Sequence, residues 1–190
     1  MAKLNKSKFA ILGVLGDGPA SGYDIKQFSD MSISHFWNEN YGHIYPVLKR
    51  LEREKLVTMD SRQKDGRLRS VYSITQKGRE ALNSWLAEPS ADTPRRFEFL
   101  LKLFFGHDLP VSHWEKALEA EKQNAAEELR EYRAIEEKFA AKRPACGKKS
   151  DPFRMATLKF GIKYAQARIE WCDETLKMIL QNAGNKRRIE

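Results

Sequence analysis

Cysteine is scarce: Cys146 and Cys172 are the only two in 190 residues. Two thiols supply no disulfide framework, so apolar packing must hold the fold, in a reducing compartment. The four histidines, His35, His43, His107 and His113, show no metal-ligand spacing. No serine or cysteine sits in a nucleophile motif. An enzyme is therefore not expected, nor a metal or other cofactor. No stretch approaches the ~20 apolar residues of a membrane span. The Phe9–Leu15 run is short, broken by Gly13, and followed by no small-residue cleavage pattern. A cytoplasmic protein with no membrane partner is the expectation.

Positive charge is abundant. The net charge is +8 and the pI is near 9.4, which points to a polyanionic partner. Residues 1–75 hold 12 basic and 8 acidic groups, against 22 and 18 in residues 76–190. The same surplus is thus denser in the shorter N-terminal part. Hydrophobic content of 41% supports a core, and charged content of 32% implies much exposed helix surface. The length suits one domain or two small ones.

The stretch Asn40–Val57 carries an apolar stripe, Ile44, Val47, Leu48 and Leu51, at helical spacing. Its other face offers Tyr41, His43, Tyr45, Lys49 and Arg50, which can bond to bases, stack, or neutralise phosphates. Pro46 is tolerated only near a helix start, so the regular helix is predicted to begin close to Gly42. Residues 40–45 then occupy the end where a recognition helix meets base edges.

Two short strand-like runs follow, one through Val57 and Met59, the other through Val71, Tyr72 and Ile74. Between them Asp65-Gly66 favours a tight hairpin turn, flanked by Arg62, Lys64, Arg67 and Arg69. A basic hairpin directly after a basic helix is a winged helix-turn-helix pattern. Its wing lies along the DNA backbone or in the adjacent minor groove.

Upstream, a helix is predicted over about Lys6–Leu15, with Phe9, Ile11 and Leu12 inward. Gly16-Asp17-Gly18-Pro19 breaks it. Ser21 caps the next helix, with Asp24 as reciprocal partner. Ile25 and Phe28 supply that helix's buried face, and its start is a natural phosphate seat. Phe36 and Trp37, in the Met31–Glu39 connection, read as core. Downstream, Thr75 caps a helix to about Ala87. Glu88–Pro94 is the best boundary, giving a winged-helix domain over 1–88 and a helical domain over 94–190.

The second half reads as helices: Arg95–Gly106, Val111–Lys142 and Phe153–Ala183, with a Pro, Gly and Lys-rich turn at Arg143–Pro152. The last helix carries two stripes. One is Phe153, Ala156, Phe160, Tyr164, Ala167 and Trp171. The other is Leu158, Ile162, Ala165, Ile169, Cys172, Leu176 and Ile179, spaced 4-3-4-3-4-3. Such alternation marks a coiled-coil seam. One stripe can face the Val111–Lys142 helix. The 4-3 seam is assigned to a second subunit, although such a seam can equally pack within one chain.

The chain resembles the PadR family of transcriptional regulators, specifically its longer members. The resemblance rests on Phe9–Leu15, Gly18–Ile25, Tyr41–Glu52, the Gly66 wing, Val71-Tyr72 and Thr75–Gly78, and less specifically on Glu98–Gly106. It implies a mainly α fold: an N-terminal winged helix-turn-helix with a β-hairpin wing, and a C-terminal antiparallel, coiled-coil helical dimerisation domain. It further implies a homodimer on an inverted-repeat operator. Such a protein usually represses, and some members release DNA on binding a phenolic acid or a hydrophobic drug. One departure stands out. Lys55 occupies a position where the family usually has glycine, and a positive φ there would strain a lysine, which leaves the helix end open.

On this reading Asn40, Tyr41, His43 and Tyr45 approach base edges and the sugar-phosphate rim. Lys49 and Arg50 hold phosphates, as do Ser21, Gly22 and Tyr23, while Lys64, Arg67 and Arg69 form the wing contacts. Phosphate contacts fix register and base contacts give specificity. A junction between the domains, lined by Trp37, Trp85, Phe104 and Phe105 with Arg95 or Arg96 near a carboxylate, is the candidate site for a small aromatic effector. Plain core packing is the competing explanation for those aromatics. Two rival functions remain open. One is a winged helix used as a protein-interaction module with a helical assembly arm, against which the basic wing argues. The other is a transcriptional activator of the same fold.

Overall fold

The computed structural model describes residues 6–33, 36–37, 44–64, 67–90, 96–141 and 151–186, with the backbone alone at 62–64, 67–68, 151 and 183–186. The chain forms two compact units, Met1–Thr93 and Pro94–Glu190. It is mainly helical, with one small antiparallel sheet.

The N-terminal unit runs α1 (Ser7–Gly16), β1 (Ala20–Ser21), α2 (Gly22–Ser32), α3 (Ile44–Arg53), β2 (Val57–Lys64), β3 (Arg67–Ile74) and α4 (Gln76–Ala87). Helix α3 buries Ile44, Val47, Leu48 and Leu51, the four positions its apolar period marks. They share a core with Phe9, Ile11, Leu12 and Leu15 of α1, and with Ile25, Leu56, Val57 and Tyr72. Pro46 sits in the first turn of α3, where its missing N–H has no intrahelical acceptor to lose. Phe28 is half-buried, and Ser29 beside it is buried. Phe36 departs from expectation: it is 55% exposed. Residues of α1 and α3 already fill the core, and the turn after α2, where Phe36 N–H donates to the Ile33 carbonyl, carries that ring outside.

Strands β2 and β3 pair antiparallel from Val57↔Ile74 to Lys64↔Arg67. Asp65 and Gly66 lie outside the described residues. The two-residue strand β1 adds to the other edge of β3, giving the order β1-β3-β2. No hydrophobic alternation announces so short a strand. Ser21, paired with Val71, thereby ties the start of α2 to the wing.

Lys55 does adopt a positive φ, 59°. Leu56 N–H donates to the Leu51 carbonyl and Lys55 N–H to that of Glu52, the paired bonds of a left-handed helix stop. The start of α4 clamps this turn. Thr75 Oγ1 donates to the Lys55 carbonyl and Lys77 Nζ to that of Glu54. Gly78 lies so close that a Cβ there would be 2.1 Å from the Leu56 carbonyl oxygen. The lysine is held in its strained conformation by these neighbours.

The C-terminal unit comprises α5 (Glu98–Phe105), a 3-10 turn (Gly106–Asp108), α6 (Val111–Ala141) and α7 (Asp151–Lys186). Helices α6 and α7 pack as an antiparallel pair. At one end Trp114 and Leu118 meet Cys172, with Leu176 and Ile179 alongside. At the other, Tyr132 meets Leu158 and Ala165, with Ile162 alongside. Trp114 Nε1 donates to the Gly106 carbonyl at 3.0 Å, fixing the turn that leads into α6.

This packing corrects the assignment of the 4-3 stripe to a second subunit. Leu158, Ala165 and Cys172 are buried against α6 of the same chain, and Ile162, Leu176 and Ile179 pack on those clusters. Ile169 is half-buried. The seam includes residues that an apolar count passes over. Gly161 lies under the Tyr132 ring, Thr175 is buried, and Arg168 bonds Glu121 and Glu128 of α6 at 2.6 and 2.7 Å. Burial opposes the Arg168 charge, but the hydrogen bonds it donates to Glu128 and Glu121 outweigh it and raise its pKa. Lys122 adds a bond to Asp173 at 2.6 Å. The other stripe is uncovered at Phe153 and Phe160, 75% and 57% exposed, whereas Trp171 at its far end is half-buried and packs edge-on against Phe99 of α5.

Candidate nucleic-acid interface

The interface is built from three pieces of the N-terminal unit. Helix α3 turns its apolar stripe inward, so Tyr45 and Lys49 are left exposed and Arg50 half-buried. Arg50 Nε lies 3.7 Å from Glu54 Oε1, which partly offsets its charge. Asn40, Tyr41 and His43 lie outside the described residues.

The second piece is the start of α2. Ser21 and Asp24 form a reciprocal cap: the Ser21 N–H and Oγ both donate to Asp24 Oδ2, at 2.9 and 2.6 Å, and Asp24 N–H donates back to Ser21 Oγ. The hydroxyl of Ser21 is thus spent inside the chain, and Ser21 is buried. Ser21 thus shapes the helix start and does not reach outward. The N–H groups of Gly22 and Tyr23 belong to the first turn, which lacks intrahelical acceptors. Tyr23 is 62% exposed.

Gly22 is buried, and the Tyr45 ring from α3 lies on it. A Cβ at Gly22 would be 2.7 Å from that ring. Sequence reasoning placed both residues in the interface but had no signal for their contact, which depends on how α2 and α3 cross. Nearby Tyr72, buried in β3, has its pKa raised by burial, then by Glu52 and Tyr45.

The third piece is the wing. The register pairs position 62 with 69 and position 64 with 67. Directly opposed residues, and residues two apart on one strand, share a face. The four basic positions therefore fall on one face of the hairpin. Arg69 is exposed; Lys64 and Arg67 are described by backbone alone.

The proposed effector residues distribute unevenly. Trp85 stacks on Phe9 at 4.5 Å, nearly parallel, so it is core of the N-terminal unit and not a free lining residue. Trp37 is half-buried, with Lys6 over its ring and its indole N–H unpaired. In the C-terminal unit Phe104 and Phe105 are 80% and 66% exposed, and Arg96 is exposed. Arg95 lies outside the described residues, as does Cys146. Burial first of all raises the Cys172 thiol pKa, which suits packing and not reactivity. Among the described residues no cluster could hold a metal ion. No helix there is long and apolar enough to cross a membrane.

A basic winged helix-turn-helix followed by a long helical arm is the architecture of a transcriptional regulator. The comparisons with known proteins agree. Residues 11–84 match the Transcriptional regulator PadR-like family, and residues 95–179 match the Virulence activator alpha C-term family. The Negative transcriptional regulator PadR of Bacillus subtilis is 36% identical over 101 residues, 52% of this chain and 55% of that protein. The chain thus spans about half the length of that curated relative. Among solved structures, Bacillus subtilis PadR in complex with operator DNA shares the fold, with TM-score 0.82 and 24% identity over 91% of this chain and 98% of that one. The same protein in complex with p-coumaric acid gives 0.75 and 25%, covering 90% and 97%. The Vibrio cholerae virulence activator AphA gives 0.72 and 30%, covering 92% and 98%. The chain belongs to the PadR-like family of transcriptional regulators, a class that is not enzymatic.

Proposed function

We propose that the protein is a dimeric, sequence-specific DNA-binding regulator that represses its target and releases DNA when a small aromatic acid binds. The observation that carries the reading is the exposed Tyr45 and Lys49 face of α3, followed directly by a hairpin with four basic register positions on one face. A major-groove helix and a backbone-tracking wing need those two surfaces. The operator is an inverted repeat, with half-sites about one DNA turn (~34 Å) apart, and the place of action is the cytoplasm, on the nucleoid when bound.

Homodimerisation uses the aromatic stripe of α7, Phe153, Phe160 and Tyr164. Support comes from its exposure and from the occupation of the 4-3 seam by α6. A row of exposed aromatics is an assembly surface more often than a solvated one. For the effector, Arg96, Phe104 and Phe105 stay as candidates in the C-terminal unit, and Trp37 by itself in the N-terminal unit. The complex of the Bacillus subtilis relative with p-coumaric acid favours a phenolic acid as first ligand to try. The activator reading is kept because the C-terminal unit matches a virulence-activator family.

The test is fluorescence anisotropy with the chain's own upstream duplex and a scrambled duplex, at two salt concentrations. Preference for the cognate duplex that survives higher salt supports the reading, and phenolic acids are then screened for release. Equal, salt-fragile binding to both counts against sequence-specific recognition of that duplex. Absence of binding at low salt sinks it in favour of a protein-interaction module. Lys64→Ala with Arg67→Ala should weaken binding to every sequence and lower the salt slope by about 2. A transcription assay with the cognate promoter separates repression from activation.

A further inference from the structure

Gly22 bears no side chain that could touch anything, yet it lies where the three pieces of the interface meet. Its neighbour Ser21 is paired to Val71 of the wing strand, Gly22 itself opens α2, and the Tyr45 ring of α3 covers it. The ring atoms Cε1 and Cζ would be 2.7 and 3.0 Å from a Cβ at this position, and the phenolic oxygen 3.3 Å. Gly22 has no positive φ, so its backbone does not require glycine. Only the ring does. Tyr45 keeps 58% of its surface exposed, so one side of the ring rests on the α2 backbone and the rest faces outward. The phenolic oxygen is thereby brought over Gly22, in the first turn of α2, where the Gly22 and Tyr23 N–H groups have no intrahelical acceptor.

We infer that Gly22 is a positioning residue for DNA recognition: its bare backbone is the seat that holds Tyr45 against the start of α2. The seat makes one rigid contact unit of the phenol and the first-turn N–H groups, aimed at the same stretch of sugar-phosphate backbone. This rests on the DNA-binding reading above and adds to it the residue through which α2 and α3 act together.

The physics separates this role from ordinary packing. An added methyl at Gly22 meets the far end of a side chain that can swing away, unlike the methyl at Gly78, which meets a backbone carbonyl. Alanine is also the better helix former. Gly22→Ala should therefore leave the melting temperature unchanged or slightly higher, while it displaces the phenol from its seat.

The test is a double-mutant cycle in operator affinity, with Gly22→Ala, Tyr45→Ala and the double variant, each checked by thermal melting. Gly22→Ala should weaken cognate binding about tenfold, the scale of one lost specific contact, without loss of stability. In the Tyr45→Ala background Gly22→Ala should cost nothing further, because no ring is left to displace. Additive losses would mean that Gly22 acts independently of Tyr45 and overturn the inference. So would wild-type affinity in Gly22→Ala, or a variant that melts earlier or fails to fold. If the wild-type chain binds neither duplex, the DNA reading fails and takes this inference with it. If the wild type binds and Gly22→Ala binds equally well, the DNA reading stands and only the seat is lost.

Discussion

The two units solve the problem of burying a helix in opposite ways. In the N-terminal unit the apolar stripe of α3 is matched by α1, α2 and the sheet, and the core closes on itself. What remains outside α3 is polar and basic. In the C-terminal unit two long helices meet along a seam with a glycine, an alanine, an arginine and a threonine in it. That seam, with Trp114, Tyr132 and Leu158 as its large side chains, covers one face of α7. The aromatic face is left over at Phe153 and Phe160, and α5 contributes only the half-buried Phe99 and Leu103 to the packing. The first unit is finished at its core and presents charge, though it also exposes Met31, Phe36 and Leu86. The second is unfinished in the sense that it leaves a row of apolar side chains exposed.

The sharpest way to break this contrast is to charge the unfinished face. Phe153→Glu with Phe160→Glu should leave the fold of one chain intact, because both rings are exposed in it. It should convert dimers to monomers in sedimentation. Operator affinity should fall by about 100-fold or more, the loss expected when two linked half-site contacts become one. A variant that remains dimeric would refute the stripe as the subunit contact. The corresponding exposed substitution in the finished unit, Lys49→Ala, should leave the assembly state unchanged.

The next largest effect concerns the lock between α3 and α4. A Cβ at Gly78 would lie 2.1 Å from the Leu56 carbonyl oxygen and 2.9 Å from the Ile74 side chain. Neither the backbone nor the buried strand end can yield easily. Gly78→Ala should destabilise the N-terminal unit by about 3 kcal/mol, seen as a lowered urea midpoint.

Arg168 is the C-terminal counterpart. Its side chain is 19% exposed and faces two carboxylates across the seam. Removing it leaves Glu121 and Glu128 without their shared cation. Arg168→Ala should destabilise the helix pair by about 2 kcal/mol, less than a fully buried ion pair would cost, because Glu128 is 41% exposed. Adding Glu121→Gln and Glu128→Gln should recover part of the loss. If the triple variant is no more stable than Arg168→Ala, the charges were not the cause.

These sites show where the fold could be read and where it could not. The α3 stripe was legible because its four apolar residues repeat at helical spacing and all face one core. The Ser21–Asp24 cap and the basic hairpin were legible because local chemistry dictates them. The seam was misassigned because an apolar pattern cannot say which helix covers it. The shape of a glycine and the paired charges of Arg168 decide that, and neither carries a hydrophobic signal. Strand β1 is two residues long and exists only because β3 offers an edge. The Tyr45–Gly22 contact joins residues from two helices, so no local period encodes it.

Lys55 gives the smallest effect and ties local strain to the interface. The left-handed conformation costs a residue with a side chain about 1 kcal/mol, whereas glycine adopts it freely but loses more entropy on folding. The turn cannot relax, because Thr75 and Lys77 hold the carbonyls of Lys55 and Glu54 and Gly78 crowds that of Leu56. The strain is therefore stored in a lock that sets the angle between α3 and the wing. Lys55→Gly should release it and stabilise the N-terminal unit by about 0.5 kcal/mol, as a raised urea midpoint with the slope unchanged. Operator affinity should stay near wild type, since the lock that fixes α3 against β2 is kept. A fall in affinity with a raised midpoint would show instead that the Lys55 ammonium touches DNA, and the salt slope would then drop by about 1.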